Sequence, residues 1–161
     1  MPFCGILPTS MPLTIYLGAD HAGFDLKNIL KEHLERQGHV VHDLGAHTLN
    51  LHDDYPVFAA AVASNVREHA SSFGILICGS AEGVCIAANK FDGIRAGVGF
   101  SLASATAMRN DDDANILCLP ARLKLIDDPL AIADAFLTTP FSNAARHNRR
   151  LAELDDLEDQ V

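Results

Sequence analysis

The chain predicts an α/β fold, a parallel sheet of five strands covered on both faces by helices, and three observations predict it. Short apolar runs that stop at glycines or polar turns alternate with longer segments of helical spacing. No repeat or low-complexity tract interrupts that alternation. The chain has 161 residues with 48% hydrophobic content, enough for one substantial core and short for two. Strands that alternate with helices pair in parallel, and ligands then gather at the carboxyl ends of the strands.

The elements follow in order. Ile15-Tyr16-Leu17 is the first strand and stops at Gly18; Phe24, Ile29, Leu30 and Leu34 then recur near helical spacing in a segment that runs to Gln37. Gly38 closes that helix, Val40-Val41 begins the second strand, and Gly45 to Asp54 is a polar loop rich in His and Asp. A helix follows Pro56 to about His69. Phe73 to Cys78 is the third strand, Val84 to Lys90 a helix, Arg95 to Phe100 the fourth strand, Leu102 to Arg109 a helix, and Ala114 to Leu119 the fifth strand. Asp127-Asp128-Pro129 starts a helix over Leu130 to Leu137, with proline in the first turn where its missing N–H costs nothing. A final amphipathic helix spans about Asn143 to Leu157, and the acidic run Glu153 to Asp159 is its solvated end. Residues 1–13 are expected to form a flexible extension, before one domain over 14–161.

Composition excludes several functions. A formal net charge of −9 leaves no broad basic face for nucleic acid, so any phosphate site is local. The segment Met1 to Pro12 lacks a basic start and a long apolar core, and no membrane span is present, so neither a signal peptide nor a membrane partner is expected. Four cysteines, at 4, 78, 85 and 118, lack metal-ligand spacing and suit reduced thiols in the cytoplasm.

The most informative stretch is Gly74 to Lys90, a buried strand that breaks into a glycine-bracketed turn and opens a helix. Gly79 and Gly83 let backbone N–H groups approach an oxyanion, and the helix start adds partial positive charge. That field favours thiolate at Cys78, and a thiol that merely packs at a strand end is the competing reading. Asp20-His21 projects from the end of the first strand, as a site pair or as a helix cap beside a solvated imidazole. Asp54-Tyr55-Pro56 either aims a phenol at a ligand or simply turns into a helix. Arg146, Arg149 and Arg150 gather in five residues, and Arg146 and Arg150 share a helix face that suits one phosphate; surface ion pairs with the acidic tail are the alternative. Arg122 follows the fifth strand on the ligand edge. Asp111-Asp112-Asp113 reads as a solvated loop or cap, and no second carboxylate cluster at ligand spacing makes it a magnesium site. The remaining histidines, at 33, 39, 42, 47, 52 and 69, are expected at the surface.

With these pieces in order, the chain resembles the ribose-5-phosphate isomerase B family, which also holds the galactose-6-phosphate isomerase subunits. The likeness runs from about Thr14 to Leu154. It rests on Gly18-Ala19-Asp20-His21-Ala22-Gly23-Phe24, Asp54-Tyr55-Pro56, Ile75-Leu76-Ile77-Cys78-Gly79-Ser80, Ile86-Ala87-Ala88-Asn89-Lys90 with Gly93-Ile94-Arg95-Ala96, and Arg146-His147 with Arg150. The resemblance implies a Rossmann-like three-layer sandwich with a C-terminal helix, and homodimers or dimers of dimers whose sites are built from two subunits. It further implies cofactor-free aldose–ketose isomerisation of a phosphorylated sugar through a cis-enediolate. On that pattern Cys78 is the general base, the amides from Gly79 to Gly83 stabilise the enediolate oxygens, and the Ser80 hydroxyl assists proton movement. Asp20 and Tyr55 match sugar contacts; His21, Arg146 and Arg150 match phosphate ligands, with Arg122 joining from the partner subunit.

The chain departs from the family before the fifth strand. A His-Asn pair there, whose histidine opens the furanose ring, is replaced by Asp111-Asp112. Either Asp111 opens the ring, or Asp111 and Asp112 bind the hydroxyls of a different sugar phosphate; a sugar-phosphate-binding protein without turnover is the reading from another class. Some members use a glutamate from the same helix start as base, but that position is Val84 here, so Glu82 is expected to be a helix-start carboxylate.

Overall fold

The structure, a computed structural model, describes residues 11–159; the expected flexible extension falls largely outside them, as does Cys4. Apolar alternation builds the sheet. Five parallel strands, β1 (Thr14–Ala19), β2 (Val40–Asp43), β3 (Ser72–Cys78), β4 (Ala96–Val98) and β5 (Ile116–Pro120), stand in the order β2-β1-β3-β5-β4. The helices are α1 (Phe24–Arg36), α2 (Tyr55–Glu68), α3 (Glu82–Ala88), α4 (Leu102–Asp112), α5 (Pro129–Thr138) and α6 (Ala145–Glu158).

Period-two alternation along each central strand sends side chains to two separate cores. Ile15, Leu17, Ile75, Ile77, Leu117 and Leu119 meet α1, α4 and α5 through Leu30, Leu34, Met108 and Phe136. Tyr16, Leu76, Cys78, Ile116 and Cys118 meet α2 and α3 through Val62, Val66, Val84 and Ala88. The result is the expected three-layer sandwich, with α6 against the end of α4. Among the described residues no helix is long and apolar enough to cross a membrane.

Element bounds fall close to the expectations, with α4 running on to Asp112 where Arg109 was expected and α3 covering Glu82–Ala88 where Val84 to Lys90 was expected. β4 covers Ala96–Val98 rather than Arg95 to Phe100, because it pairs with β5 alone and only over Ile116 to Cys118. The α5 start is as expected: the Asp128 carboxylate accepts from the N–H groups of Leu130 and Ala131, with Pro129 first in the helix. The acidic triplet also forms a helix end, with Asp111 and Asp112 in the last turn of α4 and Asp113 as its left-handed C-cap, φ 45°.

Two buried charges join the layers. Lys27 on α1 is fully buried and its Nζ lies 2.5 Å from Asp43 Oδ2 at the end of β2. Burial pushes the Asp43 carboxyl up, but the Lys27 hydrogen bond, the Gly45 amide and the Lys27 charge together hold it below its ordinary value. Arg109 on α4 donates to Asp113 Oδ1 and to the Ala114 carbonyl, each at 2.7 Å, while its guanidinium lies over Phe73.

Not all the scattered histidines are idle surface groups. His33 on α1 pairs with Asp134 on α5 at 2.9 Å, and His39 Nδ1 accepts the Leu13 N–H at 3.2 Å where the chain enters β1. Burial lowers the His39 pKa from its ordinary 6.5, and only the Asp134 charge opposes that shift. An acceptor nitrogen cannot also carry a proton. The unfolded ring binds a proton near pH 6.5 whereas the folded ring resists until lower pH, so stability is lost as pH falls through that window. The thermal midpoint is therefore expected to fall between pH 7 and 5 by more in the parent than in His39→Ala; equal falls would refute this role.

Candidate active site

All five strand carboxyl ends lie on one rim of the sheet, and the strand order reverses direction between β1 and β3. There the chain leaves β1 toward β2 on one side and leaves β3 past β5 toward β4 on the other, opening a crevice. Its walls carry the residues singled out from sequence. Ala19 pairs with Ile77, so Asp20-His21 emerges beside Cys78-Gly79-Ser80. Gly23, just before α1, allows that approach, because a Cβ there would stand 2.7 Å from the Ile77 carbonyl oxygen.

Cys78 ends β3 with only 4% of its surface exposed, on the α2/α3 side of the sheet. The chain then turns through Gly79 and Ser80, both half-buried, into Ala81, which adopts a left-handed φ of 69° as N-cap of α3. An alanine offers no side-chain acceptor, so the first N–H groups of α3 have no side-chain cap. Glu82 opens α3 and is exposed, as a helix-start carboxylate should be.

The protein's own packing distinguishes the two glycines in a way their spacing does not show. The strained position of the turn is Ala81, not a glycine, and at Gly79 a Cβ would meet only ordinary contacts, Arg122 Cδ at 3.5 Å and Ala22 Cβ at 3.8 Å. Gly83 lies within α3 and is also packed closely. A Cβ there would stand 2.7 Å from Tyr55 Cζ, so glycine lets the phenol at the start of α2 lie flat against the helix bearing the turn.

Arg122 also departs from expectation. Its backbone N–H donates to the Gly79 carbonyl at 2.9 Å and Ala121 donates to Cys78, because β5 neighbours β3. Arg122 therefore sits on the turn of its own chain, with an exposed side chain at the rim, and needs no partner to reach it. Asp20 is buried, and its Oδ1 accepts the N–H groups of Ala22 at 3.0 Å and Gly23 at 3.3 Å. That carboxylate shapes the entry to α1 from three residues ahead of the N-cap, Gly23.

Four of the singled-out residues lie elsewhere. α4 starts at the carboxyl rim and runs back, so Asp111 and Asp112 stand at the amino ends of the strands, next to Asp113, which pairs with Arg95 just before β4. α6 lies along that same end: Ser142 donates to the Asn110 carbonyl at 3.1 Å, and Glu158 accepts from the Gly93 N–H. Arg146 and Arg150 are exposed there, on the face expected from their spacing. Between them the buried His147 accepts or donates at Ser142 Oγ, 2.7 Å from Nδ1, and turns Nε2 toward Asp111 Oδ1 at 3.7 Å. The singled-out residues thus stand at opposite ends of one chain's sheet.

Three thiols also cluster. Cys118 is fully buried beside Cys78 and Cys85, and burial pushes it well above its ordinary value. A hydrogen bond with Cys118 lowers the Cys85 thiol, against burial and the Glu82 charge. All three are free cysteines. Sequence spacing gave no sign of this, since Cys118 stands on a strand that is adjacent only in the folded sheet.

The family described as Ribose/Galactose Isomerase matches residues 15–154. This chain belongs to that family. Among curated members, the ribose-5-phosphate isomerase B of Mycolicibacterium paratuberculosis is 41% identical over 146 residues, covering 91% of this chain and 92% of that one. A protein of Mycoplasma genitalium named a probable ribose-5-phosphate isomerase B is 40% identical over 145 residues, covering 89% and 95%. The solved structure of ribose-5-phosphate isomerase B from Mycoplasma genitalium, with bound ribulose-5-phosphate, superposes with a TM-score of 0.88 at 38% identity, covering 94% of this chain and all of that one. The enzyme of Clostridium thermocellum gives 0.87 at 38% identity, covering 92% and 99%.

The contact of Tyr55 with Gly83 is directly testable in this family member. Gly83→Ala gains helix propensity of up to about 1 kcal/mol but meets the phenol, so it is expected to cost about 1–3 kcal/mol in urea unfolding. In a Tyr55→Ala background the same change should be neutral or stabilising. An equal cost in both backgrounds would show that the ring is not what Gly83 accommodates.

Proposed function

We propose that this chain interconverts ribose 5-phosphate and ribulose 5-phosphate without a cofactor, through a cis-enediolate, with Cys78 as the general base. The observation that carries this reading is the placement of the thiol: it ends β3 at an uncapped helix start, one strand from Asp20 and His21. Aldose and ketose differ in the position of one proton on carbon and one on oxygen. The Cys78 thiolate takes the proton from C2 and returns it to C1, while the amides of the turn from Gly79 to Gly83 lie against the enediolate oxygens. The Ser80 hydroxyl passes the second proton between O1 and O2. Asp20 and Tyr55 hold sugar hydroxyls, and His21 holds the phosphate with arginine.

Arg146 and Arg150 reach that phosphate from a second copy of the chain. They stand at the far rim from their own Cys78, so a two-fold dimer, alone or within a dimer of dimers, brings the α6 half-site of one copy to the Cys78 half-site of the other, twice. Asp111 travels with them and opens the ring, its carboxyl backed by the buried His147. The same Asp111-Asp112 pair favours a second reading, in which these carboxylates bind the hydroxyls of another sugar phosphate.

Incubation of ribose 5-phosphate with the protein in D₂O, followed by NMR, tests the first reading. The parent should produce deuterated ribulose 5-phosphate, and Cys78→Ala should be slower by about 10²–10⁴-fold, the range of a lost general base. Equal rates would remove Cys78 from its role. Turnover of a six-carbon sugar phosphate but not of ribose 5-phosphate would favour the second reading.

A further inference from the structure

The loop between β2 and α2, residues 44–54, carries a carboxylate that the scheme above does not use. Asp53 Oδ1 accepts the backbone N–H of His21 at 2.9 Å and faces His21 Nδ1 at 2.8 Å. The Asp53 side chain is 10% exposed, and its Oδ2 is buried with no hydrogen-bond partner among the described residues. Both hydrogen bonds of the carboxylate therefore go to one residue. Burying a carboxylate with one oxygen unpaired is costly, and a loop tie alone would be made as well by a neutral side chain. The charge and the second bond, to the ring, point to a task at the imidazole.

We propose that Asp53 is a positioning residue for His21: it holds the ring in one orientation with the proton on Nδ1, which leaves Nε2 as the nitrogen presented to the sugar phosphate. The part of this concerning phosphate rests on the isomerase reading; the part concerning the ring does not. An oxygen that already accepts the His21 amide stays an acceptor for the ring, so the ring proton belongs on Nδ1. The carboxylate behind Nδ1 fixes the ring so that Nε2 faces a phosphate in front. The same carboxylate sets the neighbouring contact. Tyr55 follows two residues later and lies on Gly83, so Asp53 couples the end of β1 to the phenol over the α3 turn.

The loop is prepared for this at its other end. The Asp43 carboxylate, held by Lys27, accepts the Gly45 N–H at 3.0 Å, and Gly45 and Ala46 bond to Ala19 at 2.8 Å each. Residues 44–54 are thus fastened to the end of β1 at both ends, near Ala19 and at His21.

Long-range ¹H–¹⁵N correlation on labelled protein at alkaline pH, where free imidazoles are neutral, reads the tautomer directly, with His21→Gln identifying the signals. The parent is expected to carry the His21 proton on Nδ1, Asp53→Ala to shift it mainly to Nε2, and Asp53→Asn to keep it on Nδ1, because its amide oxygen stays on the backbone N–H. In turnover of the sugar phosphate, Asp53→Ala should raise KM about tenfold, by analogy with the low end for the lost partner of a metal-ligating histidine, with kcat moved far less. A parent His21 with its proton on Nε2, or an Asp53→Ala protein with the parental tautomer, would overturn the proposal. If Asp53→Ala does not fold, the parent and Asp53→Asn spectra decide alone. These spectra need no substrate, so a protein that turns over no ribose 5-phosphate defeats the isomerase reading and leaves the tautomer result to stand or fall by itself.

Discussion

The pairing of β1 with β3 is the constraint on which the rest of the molecule depends. Six residue pairs hold these strands side by side, although a helix, a strand, a loop and a second helix separate them in sequence. The pairing puts the chain's direction reversal at one crevice and aligns the ends of two strands there. Everything polar on the carboxyl rim takes its place from that alignment: Asp20 and His21 from β1, the Cys78 turn from β3, and Arg122 from β5 on the far side of β3. Gly23 sharpens it, since any side chain would push the start of α1 off the Ile77 backbone.

The same all-parallel arrangement explains why the candidate residues are divided between two rims. Each helix returns the chain to the amino ends of the strands, so residues late in α4 and those after α5 cannot share a rim with Cys78. Asp111, Arg146 and Arg150 accordingly gather around His147 at the opposite end. In the proposed enzyme the two rims of one sheet are complementary halves, which a symmetric pair of chains would unite. Charge fits the division. The arginines stand exposed on α6 in a chain whose formal net charge is −9, so in the proposed enzyme they would act as a local anion site and not as part of a broad basic face.

Much of this was legible in the sequence, for identifiable reasons. Buried parallel strands read as continuous apolar runs, so Ile75 to Cys78 and Ile116 to Leu119 declared themselves, and Asp128-Pro129 marked a helix start by local chemistry alone. Cys78, Asp20 and His21 were legible because each directly follows or ends a strand. Contacts between residues distant in the chain were not. Asp53 lies 32 positions from His21, Lys27 lies 16 from Asp43, and neither shows a local pattern that marks it as a partner. The contact of Gly83 with Tyr55 was not legible because only the fold brings the two together, and the hydrogen bond from Arg122 to Gly79 was not legible because the β3–β5 adjacency is not written in strand sequence. Cys118 escaped as a neighbour of Cys78 and Cys85 for the same reason.

The division of one active site between two chains is the central claim, and subunit complementation tests it most directly. Cys78→Ala and Arg146→Ala are each made, then mixed in equal amounts, unfolded together and refolded so that chains exchange. In a hybrid dimer one site carries both defects and the other neither, so random pairing should restore about a quarter of parental turnover from two nearly inactive proteins. A refolded mixture no more active than the two variants refolded apart would contradict the account, and would place Arg146 and Cys78 at the same site of a single chain or Arg146 outside the site altogether.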